Sequence, residues 1–316
     1  MVTNIDLIRP KNNKIYKRVR PMTVCLSVIC DSGTYPRIVF CADRQVTAGG
    51  LTFEQARAKF ALASRKCTNC VILNAGDGYN ADKILVRVGD FLDGEISKGR
   101  IFTIMEISEL IRKETEHLRN ERINAQILNP RGLNLETFYK NLKKYPETFW
   151  KNVDEEIKKY SVDTNFLVVG FDIMENGKKY LAHINLINEN GEIEILDGDG
   201  FGIIGMGNLM SLPEITKEAY QLTTPLSEAI VKVYWAKKSA ERVLTVGHKS
   251  TDLGVMWCIS DKDGNVIVQG TMLQPEFLKE LDKSYEASNQ KMHESIVEIE
   301  KNIEDIFAGK KTLSIH

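Results

Sequence analysis

Thr23, Asp43, Lys59 and Gly76 have types and surroundings that could together break an amide bond. Thr23 opens the strand-like run TVCLSVIC, in which Thr23, Cys25 and Ser27 alternate with Val24, Leu26 and Val28. Side chains in a strand alternate between its two faces, so one face of this run is small and polar and begins with a hydroxyl. A threonine hydroxyl is a poor nucleophile until a base takes its proton. If Thr23 were the first residue, its own α-amine, with a pKa of about 8, could be that base. The chemistry would also need a cation beside the hydroxyl, a carboxylate to hold that cation and backbone donors for an oxyanion.

The sequence offers each part in order. Asp43 ends the next strand-like run, in FCADRQVT. Lys59 lies in RAKFAL, and a lysine in a small, apolar strand is costly unless paired. Gly76 lies in LNAGDG, where a strand gives way to a helix. Backbone N–H groups at such a junction suit an oxyanion, and a glycine there lets a carbonyl come close. Singly, each residue has a plainer reading: a strand threonine, a capped Asp-Arg turn, a lysine whose head reaches solvent. Their joint order supports the chemical one.

The elements that must position these residues read as follows. Strands are expected at 23–30, 38–43, 57–63 and 70–75, with DSGTYP and VTAGGLTF as turns. These four are expected to pair with one another and to pack face to face on a sheet built from 165–205 and 253–271. Ile84, Leu85, Val88 and Leu92 predict a helix after Gly76, and Ile104, Ile107, Ile111 and Leu118 predict another. Residues 101–160 read as a helical insertion broken at LNPRGLN, and 275–307 as one long amphipathic helix. That last helix serves equally as a cover for its own domain or as a coiled-coil contact between subunits. Strands and helices in segregated runs point to an α+β sandwich of antiparallel sheets flanked by helices. The expected division is a basic extension, 1–22, a domain over 23–272 and a C-terminal helix over 273–316.

With 316 residues, 43% hydrophobic and 27% charged, the chain is expected to be soluble and globular with a sizeable core. A net charge of −1 gives no reason to expect nucleic acid as a partner. No apolar run approaches the roughly 18 residues that span a bilayer, and the N-terminus lacks a secretory apolar stretch. Cys67-x-x-Cys70 supplies two thiolates where a structural zinc usually has four ligands. Neither metal nor cofactor is implied, and free cysteines suit a reducing, cytoplasmic compartment. The scattered histidines form no site of their own.

In its order Thr-Val, ADRQVTAGG, RAKF and LNAGDGYNADK, the chain resembles proteasome β-type subunits of the N-terminal nucleophile hydrolases. The resemblance covers roughly 23–92 and continues more weakly through 165–268, where DGDGFGIIGMGN looks like a strand entering a glycine-rich loop. It implies a four-layer αββα sandwich and hydrolysis of a peptide or small amide through a threonine ester, in a homo-oligomer. Thr23 would match the nucleophile, Asp43 and Lys59 the buried charges, and Gly76 the oxyanion donor. Met206 stands where the family usually has a serine, and Thr245, Ser250 and Asp252 are candidates for its later supporting groups. Residues 1–22 would be a propeptide removed by self-cleavage, or an addition ahead of a true start at Met22, or a tail that stays in place. The last case leaves a catalytically silent scaffold or assembly subunit, the alternative to a threonine-type peptidase or amidase.

Overall fold

The structure is a computed structural model that describes residues 23–33, 35–48, 51–54, 58–174, 179–217, 219–242, 246–247 and 250–307. The expected extension at 1–22 and the candidate Thr245 lie outside these residues. In chain order the strands and helices begin with β1 (Cys25–Cys30), β2 (Arg37–Asp43), β3 (Gln45–Ala48), β4 (Leu51–Glu54), β5 (Phe60–Leu62) and β6 (Cys70–Gly76). The helices α1 (Gly78–Ile96), α2 (Ile104–Ile123), α3 (Leu135–Lys140) and α4 (Glu147–Lys159) follow. Next come β7 (Thr164–Ile173), β8 (Tyr180–Ile187), β9 (Ile193–Ile195), β10 (Phe201–Ile204), α5 (Asn208–Thr216) and α6 (Leu226–Ala240). The chain closes with β11 (Thr251–Ser260), β12 (Val266–Met272) and α7 (Pro275–Phe307).

Two five-stranded antiparallel sheets form the centre, in the orders β10-β1-β2-β11-β12 and β5-β6-β7-β8-β9. This partition corrects the expected one: the first four strands do not form one sheet. β1 and β2 join the late strands β10, β11 and β12, while β5 and β6 join β7 to β9. A sheet edge is completed by whichever strand the whole fold delivers there, and strand pattern carries no record of that partner. VTAGGLTF also differs from its reading as a turn, since β3 and β4 pair as a short hairpin with Ala48 opposite Leu51.

Alternation along β1 sorts the chain into layers. Val24, Leu26, Val28 and Cys30 pack with α5, α6 and Leu281 of α7. Cys25 and Ile29 face the second sheet, beside Val71, Leu73, Leu167 and Val169. The far face of that sheet is covered by α1 and α2 through Ile84, Val88, Leu92, Ile104, Ile107, Ile111 and Leu118, the two predicted stripes. The result is a four-layer α+β sandwich. Each fully buried valine or leucine contributes about 1.5–3 kcal/mol relative to exposure, which holds both sheets against these helices. Beyond α2, Ile123, Ile127, Leu128, Phe138, Val153 and Ile157 enclose a small core of their own.

Local signals set the helix starts. Asp77 caps α1 by accepting from the N–H groups of Tyr79 and Asn80 at 2.9 and 3.1 Å. Thr103 and Glu106 form a reciprocal capping box at α2. The first part of α7 packs through Leu281 and Tyr285. From Lys291 to Lys301 every residue of α7 is exposed, Met292, Ile296 and Ile299 among them.

Candidate active site

Thr23 lies two residues before β1, in step with Cys25, whose side chain faces the second sheet. Its hydroxyl oxygen accepts a hydrogen bond from the Lys59 ammonium at 2.5 Å. Lys59 also donates to Asp43 Oδ1 at 2.8 Å. Thr23, Asp43 and Lys59, 36 residues apart at most, thus converge on one cluster, with Asp43 fully buried and the Lys59 side chain 10% exposed. Lys59 stands just ahead of β5 rather than inside it, yet its carbonyl still accepts from Asn74 N at 3.0 Å. That bond fixes the root of the lysine side chain against β6.

Asp43 is held by more than the lysine. Its Oδ1 accepts from Val24 N at 3.3 Å and its Oδ2 from Gly247 N at 3.0 Å. These two backbone donors and the lysine hold both carboxylate oxygens in place. A cation against a hydroxyl lowers the cost of forming an alkoxide. Beside this cluster, burial pushes the Cys25 thiol well above its ordinary range and the Cys41 thiol up to about 12. Both shifts favour the neutral thiol.

Two glycines bring backbone close. Gly205 has φ +94°, and a Cβ on it would lie 2.0 Å from the Thr23 carbonyl oxygen. Gly207 N donates to that same oxygen at 3.3 Å, so the GMG turn closes over Thr23 through backbone alone. Gly76 has φ +111°, and a Cβ there would lie 2.1 Å from Asp163 O. Asp77 N bonds Asp163 O at 2.7 Å and Phe171 N bonds Asn69 O at 2.9 Å, so odd-numbered residues of β6 bond β7. Alternation then turns the Gly76 N–H away from β7, toward the side of β5 and Lys59. A cleft of about 310 Å³ runs past Gly76, Asp163, Gly205, Met206 and Leu209; Thr23 lies behind the GMG turn and is not in its wall.

Of the remaining candidates, Asp252 is buried and forms a two-pronged ion pair with Arg44, at 2.8 and 2.5 Å. It braces β11 beside Asp43, which pairs with Thr251. Met206 is 45% exposed in the cleft wall. Cys67 and Cys70 are both buried and unbridged.

Sequence reasoning missed Gly247 and the fully buried Lys237. Ile230, Val233, Tyr234, Lys237 and Ala240 follow steps of three and four along α6 and are all buried. A lysine on that stripe was the signal available.

No protein-family model matches the chain, and no curated protein matches it in sequence. The sequence resemblance to proteasome β-type subunits is therefore corrected: it does not extend to membership of that family. Among solved structures the chain is similar to an Anbu (Gly-1) mutant from Hyphomicrobium sp. strain MC1. The identity is 14% and the TM-score 0.53, over 87% of this chain and 99% of that one. At such identity the likeness is one of fold, the four-layer α+β sandwich.

Proposed function

We propose that this protein hydrolyses peptide or other amide bonds with Thr23 as its nucleophile. The observation that carries the reading is the Lys59 ammonium 2.5 Å from the Thr23 hydroxyl while Asp43 holds it at 2.8 Å. Thr23 follows Met22, and an amide nitrogen cannot serve as base, so the Met22–Thr23 bond must be absent in the active form. Removal of a propeptide, or synthesis from Met22 with loss of that methionine, provides it.

With its amine free, Thr23 takes its own hydroxyl proton onto the α-amino nitrogen, and the oxygen attacks the substrate carbonyl. Lys59 offsets the charge on the attacking oxygen, and the Gly76 N–H donates to the oxyanion. The C–N bond breaks as the amine returns the proton to the leaving nitrogen, which leaves an ester on Thr23. Water, deprotonated by the same amine, then cleaves the ester and restores the hydroxyl.

The test compares the full chain, a chain beginning at Met22 and the same short chain with Thr23→Ala on a panel of fluorogenic peptides and amides. Hydrolysis by the short chain, lost in Thr23→Ala and partly kept in Thr23→Ser, is the expected result. A second reading, a catalytically silent scaffold, is favoured by the GMG turn standing between Thr23 and the cleft. It wins if all forms are folded and inert. Self-association through the exposed stripe Met292, Ile296 and Ile299 of α7 belongs to this proposal, as does a reducing, cytoplasmic setting for six unbridged cysteines. Sedimentation of the full chain beside one with Ile296→Glu and Ile299→Glu tests the association, which the two charges should abolish.

A further inference from the structure

Lys237 has no part in the chemistry above, yet its side chain is wholly buried. Burying an ammonium is costly unless it is paired and hydrogen-bonded, and its place on the apolar stripe of α6 would suit a leucine. Its Nζ has two partners: Glu241 Oε1, one turn along the helix, and the Gly247 carbonyl at 3.0 Å. Glu241 does not depend on it, because Lys238 bonds Glu241 Oε2 at 2.7 Å. Among the described residues, the contact that Lys237 alone supplies is the one to the Gly247 carbonyl.

Gly247 lies between α6 and β11, outside either sheet. Its N–H donates to Asp43 Oδ2 at 3.0 Å. The same residue is thus gripped at both of its backbone groups, by Lys237 on one side and by Asp43 on the other. A continuous path of hydrogen bonds runs from Lys237 through Gly247, Asp43 and Lys59 to the Thr23 hydroxyl.

We infer that Lys237 is a positioning residue: through Gly247 it fixes the rotation of the Asp43 carboxylate, and so the place of Lys59 against Thr23. The inference rests on the reading of Thr23 as nucleophile. Without Lys237, Gly247 loses the anchor at its carbonyl and Asp43 Oδ2 loses a fixed donor. Asp43 then keeps only the long bond from Val24 N and the pairing with Lys59, both on Oδ1, so the carboxylate can turn about that oxygen and shift Lys59 against the hydroxyl. Substrate contacts are untouched, so the effect belongs to the chemical step.

The experiment uses the chain beginning at Met22, unmutated and as Lys237→Met, which keeps the apolar stem and removes the donor. A misplacement of about 1 Å can cost about 10²-fold in rate, so kcat is expected to fall between about 10- and 100-fold with KM unchanged. Lys237→Arg, which can still donate to the Gly247 carbonyl, is expected to recover part of that loss. Hydrogen exchange of the segment around Gly247 gives a reading that needs no substrate. It should quicken in Lys237→Met while exchange in α1, around Ile84, stays as it was. Wild-type kcat with unaltered exchange at Gly247 overturns the inference, and so does a loss of protection spread over the whole core. Should the unmutated short chain be inert, the nucleophile reading fails on its own, and unchanged exchange at Gly247 would still sink the clamp.

Discussion

Two clusters in this molecule set a basic side chain against carboxylate, one buried and one half-buried, and they differ in what stands beside them. At one end, Lys59 lies between Asp43 and the Thr23 hydroxyl, with the backbone of Gly205 against Thr23 and Gly76 at the neighbouring strand end. In the second sheet, His183 lies between Asp197, 2.7 Å from Nδ1, and Asp172, 3.3 Å from Nε2. Both carboxylates there are also occupied by backbone: Asp172 accepts from Ile104 N at 2.6 Å and Asp197 from Ile184 N at 2.8 Å. The histidine cluster ties α2 and the turn after β9 to β7 and β8 and offers no nucleophile. The difference lies in what stands beside the charge: a hydroxyl and side-chain-free backbone at Lys59, and backbone N–H groups at the carboxylates around His183.

The largest expected effect sharpens this contrast. Thr23→Ala in the short chain should lower hydrolysis by at least about 10³-fold, whereas His183→Gln should leave the rate unchanged. Residual activity in Thr23→Ala near that of the unmutated short chain would move the chemistry elsewhere.

Next comes the ion pair. Lys59→Met or Asp43→Asn should cost about 10²–10³ in kcat, and removing one partner of a buried pair should also cost about 3–5 kcal/mol in stability. Urea titrations read the second effect independently of the first. Full activity in a destabilised Asp43→Asn protein would make the pair structural, like the histidine cluster.

Glycine provides a comparison of smaller size. Gly205→Ala would put a Cβ 2.0 Å from Thr23 O, while Gly264, at φ +82° in the turn between β11 and β12, has nothing within 4 Å. Both substitutions pay the left-handed backbone penalty of about 1–2 kcal/mol, measurable by thermal melting. Only Gly205→Ala should also lower hydrolysis, because only there does the turn press on Thr23.

The smallest effect concerns pH. The hydrogen bond to Asp197, with the charges of Asp197 and Asp172, raises the His183 pKa above 6.5 against the opposing effect of burial. A raised folded pKa gives stability that is fully present below the unfolded value and is lost as pH rises through the folded one. The melting temperature should therefore decline from about pH 6.5 upward, and His183→Gln should remove that decline. An unchanged pH dependence in the variant would show that other groups titrate in that window.

What was legible in the chain followed from local periodicity. The alternation of Thr23, Cys25 and Ser27 with Val24, Leu26 and Val28 sorted the two faces of β1. The stripes on α1 and α2 named most of the residues that cover the second sheet. Thr23, Asp43, Lys59 and Gly76 could be singled out because each stands at or near a strand end, with a side chain or a flexibility that its neighbours do not need. The partition of the strands was not legible, because β1 completes its sheet with β10, some 170 residues on, and pattern is silent about partners so distant. Nor was the choice between Lys237 and Lys238, adjacent lysines on one helix. The sequence by itself determined which groups were available for chemistry, since their types and local spacing are covalent facts. Only the tertiary structure decided that Gly247 reaches Asp43 and that Lys237 reaches Gly247, because long-range packing alone delivers a loop and a helix to a carboxylate two hundred residues earlier.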